Sequence, residues 1–290
     1  MRPIFRFIAD RTERAESLDP ATDATAEVAA KVVPAGFVRE VLAGTWLGHP
    51  LHPLLTDIPI GAWLAAGFLD VFGGEDSRTA ARKLVGLGTL AAVPTALAGT
   101  ADWVDTDDKP ARRVGFVHGA GNAAVLGLYL LSWRARRKGH QGRGVALAMA
   151  AGGGLVGTAY LGGHLSFSQG IGVAETAFEE GPKNWKALDL APDRLGDEKK
   201  MRATVGQVRL LLYRSGDRIY AVSDHCSHRG CALAGGTIEG KGDDATVECP
   251  CHGSTFRLTD GEVVRGPATA PQPAYEARIR EDKIEVRLRQ

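Results

Sequence analysis

The stretch ECPCHGSTF, residues 248–256, sets Cys249 and Cys251 one residue apart with His252 directly after them. The other two of the chain's four cysteines, Cys226 and Cys231, fall in DHCSHRGC, residues 224–231. Every cysteine and three of the eight histidines thus crowd into one short region. A zinc knuckle, a disulfide staple and a redox cluster are the chemistries such crowding suggests. A Cys2His2 zinc finger carries both cysteines ahead of both histidines. Here Cys226-x-His228 and, twenty residues further on, Cys249-x-x-His252 each supply one cysteine and one histidine. A pair of hairpin loops built this way offers two thiolates to one metal and two imidazoles to another.

The surrounding texture supports such loops. WKALDL, QVRLLLYR, RIYAVS, EVVR, AYEARIR and KIEVRLR are short, rich in β-branched and aromatic residues, and separated by the turn signals SGD, TDG and RED. Residues 183–290 therefore read as a small antiparallel β domain.

The two motifs, with Gly230, Gly253 and the GEVVRGPA segment, resemble the Rieske [2Fe–2S] proteins, and the resemblance spans the C-terminal third. It implies a [2Fe–2S] cluster with Cys226 and Cys249 on one iron and His228 and His252 on the other. Neutral imidazoles in place of thiolates raise the potential of such a cluster above that of plant-type ferredoxins. The resemblance further implies that Cys231 and Cys251 close a disulfide across the two cluster loops, against the alternative of two buried free thiols. That bridge would fit an oxidising compartment. Ser254 matches the family serine that hydrogen-bonds a bridging sulfide. At the position where the high-potential branch usually has tyrosine this chain has Phe256, which lacks a hydroxyl to donate toward a cysteine sulfur. A lower potential than that branch is the expectation.

The rest of the chain has another character. Net charge is +1, so no global field favours nucleic acid, and none is expected as a partner. The mean hydropathy of −0.10 conceals a split between polar ends and an apolar middle. LLTDIPIGAWLAAGFLDVF (54–72), LVGLGTLAAVPTALAGTA (84–101), VGFVHGAGNAAVLGLYLLSW (114–133) and GVALAMAAGGGLVGTAYLGG (144–163) each approach the roughly 20 residues that cross a bilayer core. Compact charged loops join them, and Gly153 and Gly157 form a small-xxx-small pair that permits close helix approach. Residues 45–173 are therefore expected to be an all-α four-helix transmembrane bundle surrounded by membrane lipid, ahead of the all-β domain. Residues 1–44 read as a polar tail, a surface helix plus flexible chain, without the apolar core of a secretory signal. Asp57 and Asp70, near the ends of the first run, are expected to reach the interface, and Pro59 suits a first helical turn.

Lysines and arginines number three in loop 73–83 and five in loop 134–143; loop 102–113 has three, diluted by four aspartates. The positive-inside bias then makes the chain a multi-pass cell-membrane protein with its termini, and the β domain, outside the cytoplasm. His49 and His52 precede the first helix, His118 lies in the first turns of the third, and His164 ends the fourth. An up-down bundle brings all four to one membrane face. Ionisable residues at that depth suggest axial haem b ligands or a quinone head-group site, against purely structural hydrogen bonding. This half resembles an uncharacterised bacterial family of four-helix membrane domains through GHPLHPLLTDIPIG (48–61) and GGHLSFSQGIGV (162–173).

Together these features suggest a membrane-bound electron carrier passing single electrons between a membrane site, quinone or haem, and a redox partner protein, with quinol oxidation as its possible enzymic activity. The alternatives are a ferredoxin component of an oxygenase system, or a redox sensor that uses the cluster and the Cys231–Cys251 disulfide. A catalytic oxygenase subunit needs a mononuclear iron site of two histidines and a carboxylate. Only 38 residues follow His252 and none is a histidine, which argues against it.

Overall fold

The protein is described by a computed structural model covering residues 4–289. It divides into two compact units: residues up to Val38 with Leu51–Ile171, and Arg39–Pro50 with Gly172 onward. Among the described residues, seven α-helices precede the first strand: α1 (Ile4–Glu13), α2 (Asp19–Val32), α3 (Phe37–Ala43), α4 (Leu51–Phe72), α5 (Arg78–Val104), α6 (Lys109–Arg137) and α7 (Gln141–Gln169). The last four are long and apolar enough to span a membrane. Most of the polar start is thus helical, where a helix with a flexible tail was expected. Ala9 of α1 is buried with Val114 and Leu161, and Arg113 of α6 holds Asp19 of α2 through two hydrogen bonds of 2.6 and 2.9 Å. Asp19 is accordingly held below the usual carboxylate range, chiefly by the hydrogen bond from Arg113.

Local chemistry sets the helix limits. Asp108 caps α6 by accepting from the Ala111 amide at 2.9 Å, and Gly170 ends α7 in the left-handed conformation that a glycine adopts without strain. Helix α4 starts at Leu51, ahead of the apolar run, so Pro59 lies inside the helix and not in its first turn. A proline cannot donate to the carbonyl four residues back. That carbonyl, Leu55 O, instead accepts from Thr95 Oγ1 of α5 at 3.2 Å, as the apolar surroundings of a membrane helix demand.

The bundle interior is partly polar. Trp63 and Tyr129 stack with centroids 4.0 Å apart and planes 8° from parallel. Asp70, two residues from the end of α4, has a buried side chain that takes both Arg136 terminal nitrogens, at 2.7 and 2.5 Å. Arg136 Nε donates to Ser132 Oγ at 3.2 Å, and Ser132 Oγ donates to the Gly144 carbonyl at 2.7 Å. In the apolar interior this network satisfies the guanidinium on three sides, which its burial requires.

Among its described residues the second unit carries ten strands: β1 (Lys186–Ala187), β2 (Lys200–Val205), β3 (Val208–Ser215), β4 (Arg218–Ser223), β5 (Thr237–Glu239), β6 (Thr246–Glu248), β7 (Thr255–Arg257), β8 (Val263–Arg265), β9 (Ala274–Arg280) and β10 (Lys283–Leu288). They form an antiparallel six-stranded sheet, β1-β10-β9-β4-β3-β2, and a four-stranded one, β5-β6-β7-β8. Leu211, Val222, Val247, Phe256 and Leu258 fill the core that backs the cysteine loops.

Asp70→Ala leaves Arg136 buried without its counter-charge and should cost about 3–5 kcal/mol, whereas Asp70→Leu with Arg136→Met should recover most of that loss. Thermal unfolding of the detergent-solubilised protein measures both; equal melting of Asp70→Ala and the parent would refute the assignment.

Candidate metal centre

Both cysteine motifs sit in loops at strand ends. Cys226, His228 and Cys231 follow β4, while Cys249, Cys251 and His252 lie between β6 and β7. Each loop is closed by its own backbone. In the first, the Cys226 amide donates to the Cys231 carbonyl at 2.9 Å and the Gly230 amide to the Cys226 carbonyl at 2.8 Å. In the second, the Cys249 amide donates to Ser254 O at 2.8 Å and the Gly253 amide to Cys249 O at 3.1 Å. Gly230, at φ +70°, also lets the His225 ring pack on it, for a Cβ there would stand 2.8 Å from His225 Cε1.

Cys231 and Cys251 are joined by a disulfide, with Cα atoms 6.5 Å apart, and the bridge ties one loop to the other. Cys226 and Cys249 remain as buried free thiols within hydrogen-bonding reach of each other. That contact pulls the Cys249 thiol down to about 6, while its hydrogen bond to Cys249 together with burial pushes Cys226 up. The His228 and His252 rings meet edge to face with centroids 5.1 Å apart. Burial, then the neighbouring His252 and Arg229, lower His228 to about 3, so its imidazole is neutral at physiological pH and has a lone pair to give. The Cys249 sulfur also lies within 4.8 Å of both disulfide sulfurs, but those two are committed to each other and that trio is no metal site.

Two thiols side by side and two imidazoles side by side, brought together from two loops, make a donor set suited to a [2Fe–2S] cluster of mixed ligation. Ser254 is buried at the edge of this set. Its Oγ accepts from the Ala268 amide at 3.0 Å, which leaves its own proton free to donate. Phe256 is wholly buried in the same core.

The first loop rests on a brace that no sequence motif announces. Gln272, 2% exposed, accepts from the Ser227 amide through Oε1 at 2.9 Å and donates through Nε2 to the Ser223 and His225 carbonyls at 3.0 and 2.5 Å. Ser227 Oγ donates to Ala270 O at 2.8 Å, and buried Asp224 accepts from the Ala234 amide at 2.6 Å and pairs with Arg202 at 2.9 Å. A glutamine forty-five residues from the loop it holds has no local signature.

The four histidines of the apolar half divide by surroundings. His52 Nδ1 meets the Thr95 carbonyl at 2.9 Å, and His118 Nδ1 meets the Thr158 carbonyl at 2.8 Å. His164 is buried, with Nε2 2.6 Å from Glu13 Oε1, and Gln169 Nε2 donates to that same oxygen at 3.0 Å. His49 is exposed, its Nδ1 3.1 Å from the adjacent Pro50 carbonyl. His52 and His118 therefore share one environment, and His164 and His49 do not belong to it.

Residues 185–276 match the family model described as Rieske [2Fe-2S] domain, and residues 48–175 match the one described as Predicted membrane protein (DUF2231). Ferredoxin CarAc of Metapseudomonas resinovorans is 35% identical over 102 residues, covering 35% of this chain and 92% of that protein. The 3-phenylpropionate/cinnamic acid dioxygenase ferredoxin subunit of Shigella boydii serotype 4 (strain Sb227) is 37% identical over 79 residues, 27% of this chain and 72% of that protein. The solved ferredoxin of carbazole 1,9a-dioxygenase from Nocardioides aromaticivorans IC177 superposes with a TM-score of 0.34 at 24% identity, over 37% of this chain and 99% of that one. Electron transfer through a [2Fe–2S] cluster is thus the chemistry of the C-terminal domain. The chain belongs to the Rieske [2Fe–2S] family, and it carries a four-helix membrane domain of the DUF2231 type ahead of its Rieske domain.

Proposed function

We propose that the chain is a membrane-bound electron carrier that passes single electrons between a site in its helical domain, quinone or haem, and a redox partner protein. The observation that carries this reading is one polypeptide holding both four spanning helices and a disulfide-tied pair of loops with two thiols and two imidazoles. Cys226 and Cys249 would ligate one iron, and His228 and His252 the other. The cluster, when bound, supplies reversible one-electron storage. The protein's part is to orient and tune. Backbone hydrogen bonds fix each loop, and the disulfide keeps the two loops in register. Ser254, whose Oγ accepts from the Ala268 amide, would use its hydroxyl proton to donate to the cluster, while Phe256 supplies bulk without a donor.

The second reading is a ferredoxin component that feeds an oxygenase. It is favoured by the curated relatives, one of them named as a dioxygenase ferredoxin subunit. Under it the helices serve only as an anchor, and electrons arrive from a soluble reductase. Reduction of the purified protein by quinol alone favours the first reading; reduction only by a reductase favours the second. The positive charge in loops 73–83 and 134–143 supports a Rieske domain outside the cytoplasm.

Three outcomes follow. His228→Ala or His252→Ala should abolish the low-temperature EPR signal of the dithionite-reduced protein, and a retained Rieske line shape would sink the ligand assignment. Phe256→Tyr should raise the midpoint potential by tens of millivolts, the equivalent of one hydrogen bond of about 1 kcal/mol to the reduced, more negative centre. A potentiometric titration giving an unchanged or lower value would refute the missing-donor argument. A reporter fused to the C-terminus should be active only outside the cytoplasm; activity confined to the cytoplasm reverses the topology.

A further inference from the structure

The four long helices repeat one helical hairpin, as α4–α5 and α6–α7. Asp70 and Arg136 lie 66 positions apart and bond to each other. Trp63 and Tyr129 lie at the same interval, and they stack on each other. Residues that touch their own counterparts lie on a two-fold axis between repeats. His52 and His118 share the interval too, with Thr56 and Asn122 one turn further along each helix. The second helices repeat as well, as TALAG (95–99) and TAYLG (158–162). The threonine carbonyl of each receives the histidine of its own hairpin. The glycine of each makes room for that ring: a Cβ on Gly99 would stand 2.7 Å from His52 Cε1, and one on Gly162 2.9 Å from His118 Cε1.

These contacts fix the chemistry of both rings. A carbonyl only accepts, so each Nδ1 carries the proton and each Nε2 holds a lone pair. Neither ring is bonded to a carboxylate, in contrast to His164 with Glu13. The polar side chains nearest along the same helix faces, Thr56 and Asn122, are neutral; Thr56 donates to Pro53 O at 2.6 Å and Asn122 Nδ2 lies 3.1 Å from His118 Nε2. Both rings are half-buried, whereas Pro59 and Val125, two turns along the same faces, are buried. A divalent cation here would lose hydration with no negative ligand to offset it. An uncharged ligand with two hydroxyl groups, itself two-fold symmetric, matches two equivalent lone pairs in a bilayer-spanning domain.

We propose that His52 and His118 together bind the head group of a para-hydroquinone, one hydroxyl donating to each Nε2, with the Asn122 amide giving way to the ligand at His118. The proposal rests on the electron-transfer reading above and narrows its membrane site to this pair, without His49 or His164. The fixed Nδ1 protons make the pair selective for the reduced ligand, because a quinone carbonyl has no proton to donate.

The test is anaerobic equilibrium binding of decylubiquinol to the detergent-purified, cluster-loaded full chain, with the Rieske EPR signal recorded on the same samples. One saturable site per chain is expected, weakened about tenfold or more, and by similar factors, in His52→Leu and in His118→Leu. His49→Ala should bind as the parent does. Should the leucine variants fail to purify as folded protein, Gly99→Ala and Gly162→Ala displace the rings while keeping the imidazoles, and the same loss is expected. Absence of saturable binding, parental affinity in either histidine or glycine variant of a pair, or a haem Soret band that either leucine variant removes would overturn the proposal. An absent EPR signal in the parent would instead overturn the electron-transfer reading, so the two failures are told apart.

Discussion

The Rieske domain depends on holding two loops together that the chain keeps well apart. The proposed ligand set needs four donors at fixed spacing, and the loops that carry them have little regular structure of their own. The Cys231–Cys251 bridge, across a sequence separation of 20, removes that freedom from the unfolded chain and contributes on the order of 3 kcal/mol. Its neighbours divide the remaining work. Gln272 binds the backbone on both sides of Cys226, and Ser254 is fixed by the Ala268 amide. With the disulfide cysteines spoken for, Cys226 and Cys249 are left as the thiols free to ligate.

The helical domain solves a different problem, that of polar groups in a setting without water. Thr95 illustrates it. Its hydroxyl reaches the Leu55 carbonyl that Pro59 leaves without a donor, and its own carbonyl receives His52. Arg136 is matched by Asp70 and by Ser132. Each satisfied group ties one helix to another, so polar residues that are costly in isolation define which helix faces meet. Glycine completes the arrangement: Gly88 leaves space for the Trp63 indole, as Gly99 and Gly162 do for the imidazoles.

The two domains use histidine in opposite ways. In the Rieske loops burial and a neighbouring ring keep His228 neutral, which is what a metal ligand needs. In the bundle, hydrogen bonds to backbone carbonyls fix the tautomer of His52 and His118. His164 has lost its freedom to Glu13, and binds the first helix to the seventh. A shared residue type therefore does not imply a shared role.

The sequence by itself determined the features set by neighbours along the chain. The spacing of Cys226, His228, Cys249 and His252 is legible because hairpin loops present residues one or two apart on the same side. The four spans are legible because a bilayer imposes a length and excludes charge, and both can be read from local composition. The hairpin repeat was also written there, in TALAG and TAYLG, although only the contacts between counterparts give it meaning. Tertiary structure alone decided the rest. Asp70 reads as an interfacial carboxylate until Arg136 meets it, Pro59 as a helix start until Thr95 covers the carbonyl it frees, and Gln272 as an ordinary loop residue until it braces the first cysteine loop. Each of these roles is a hydrogen bond between groups forty or more positions apart, and it is enforced by the cost of leaving either partner unpaired where water is excluded, which no local stretch of sequence records.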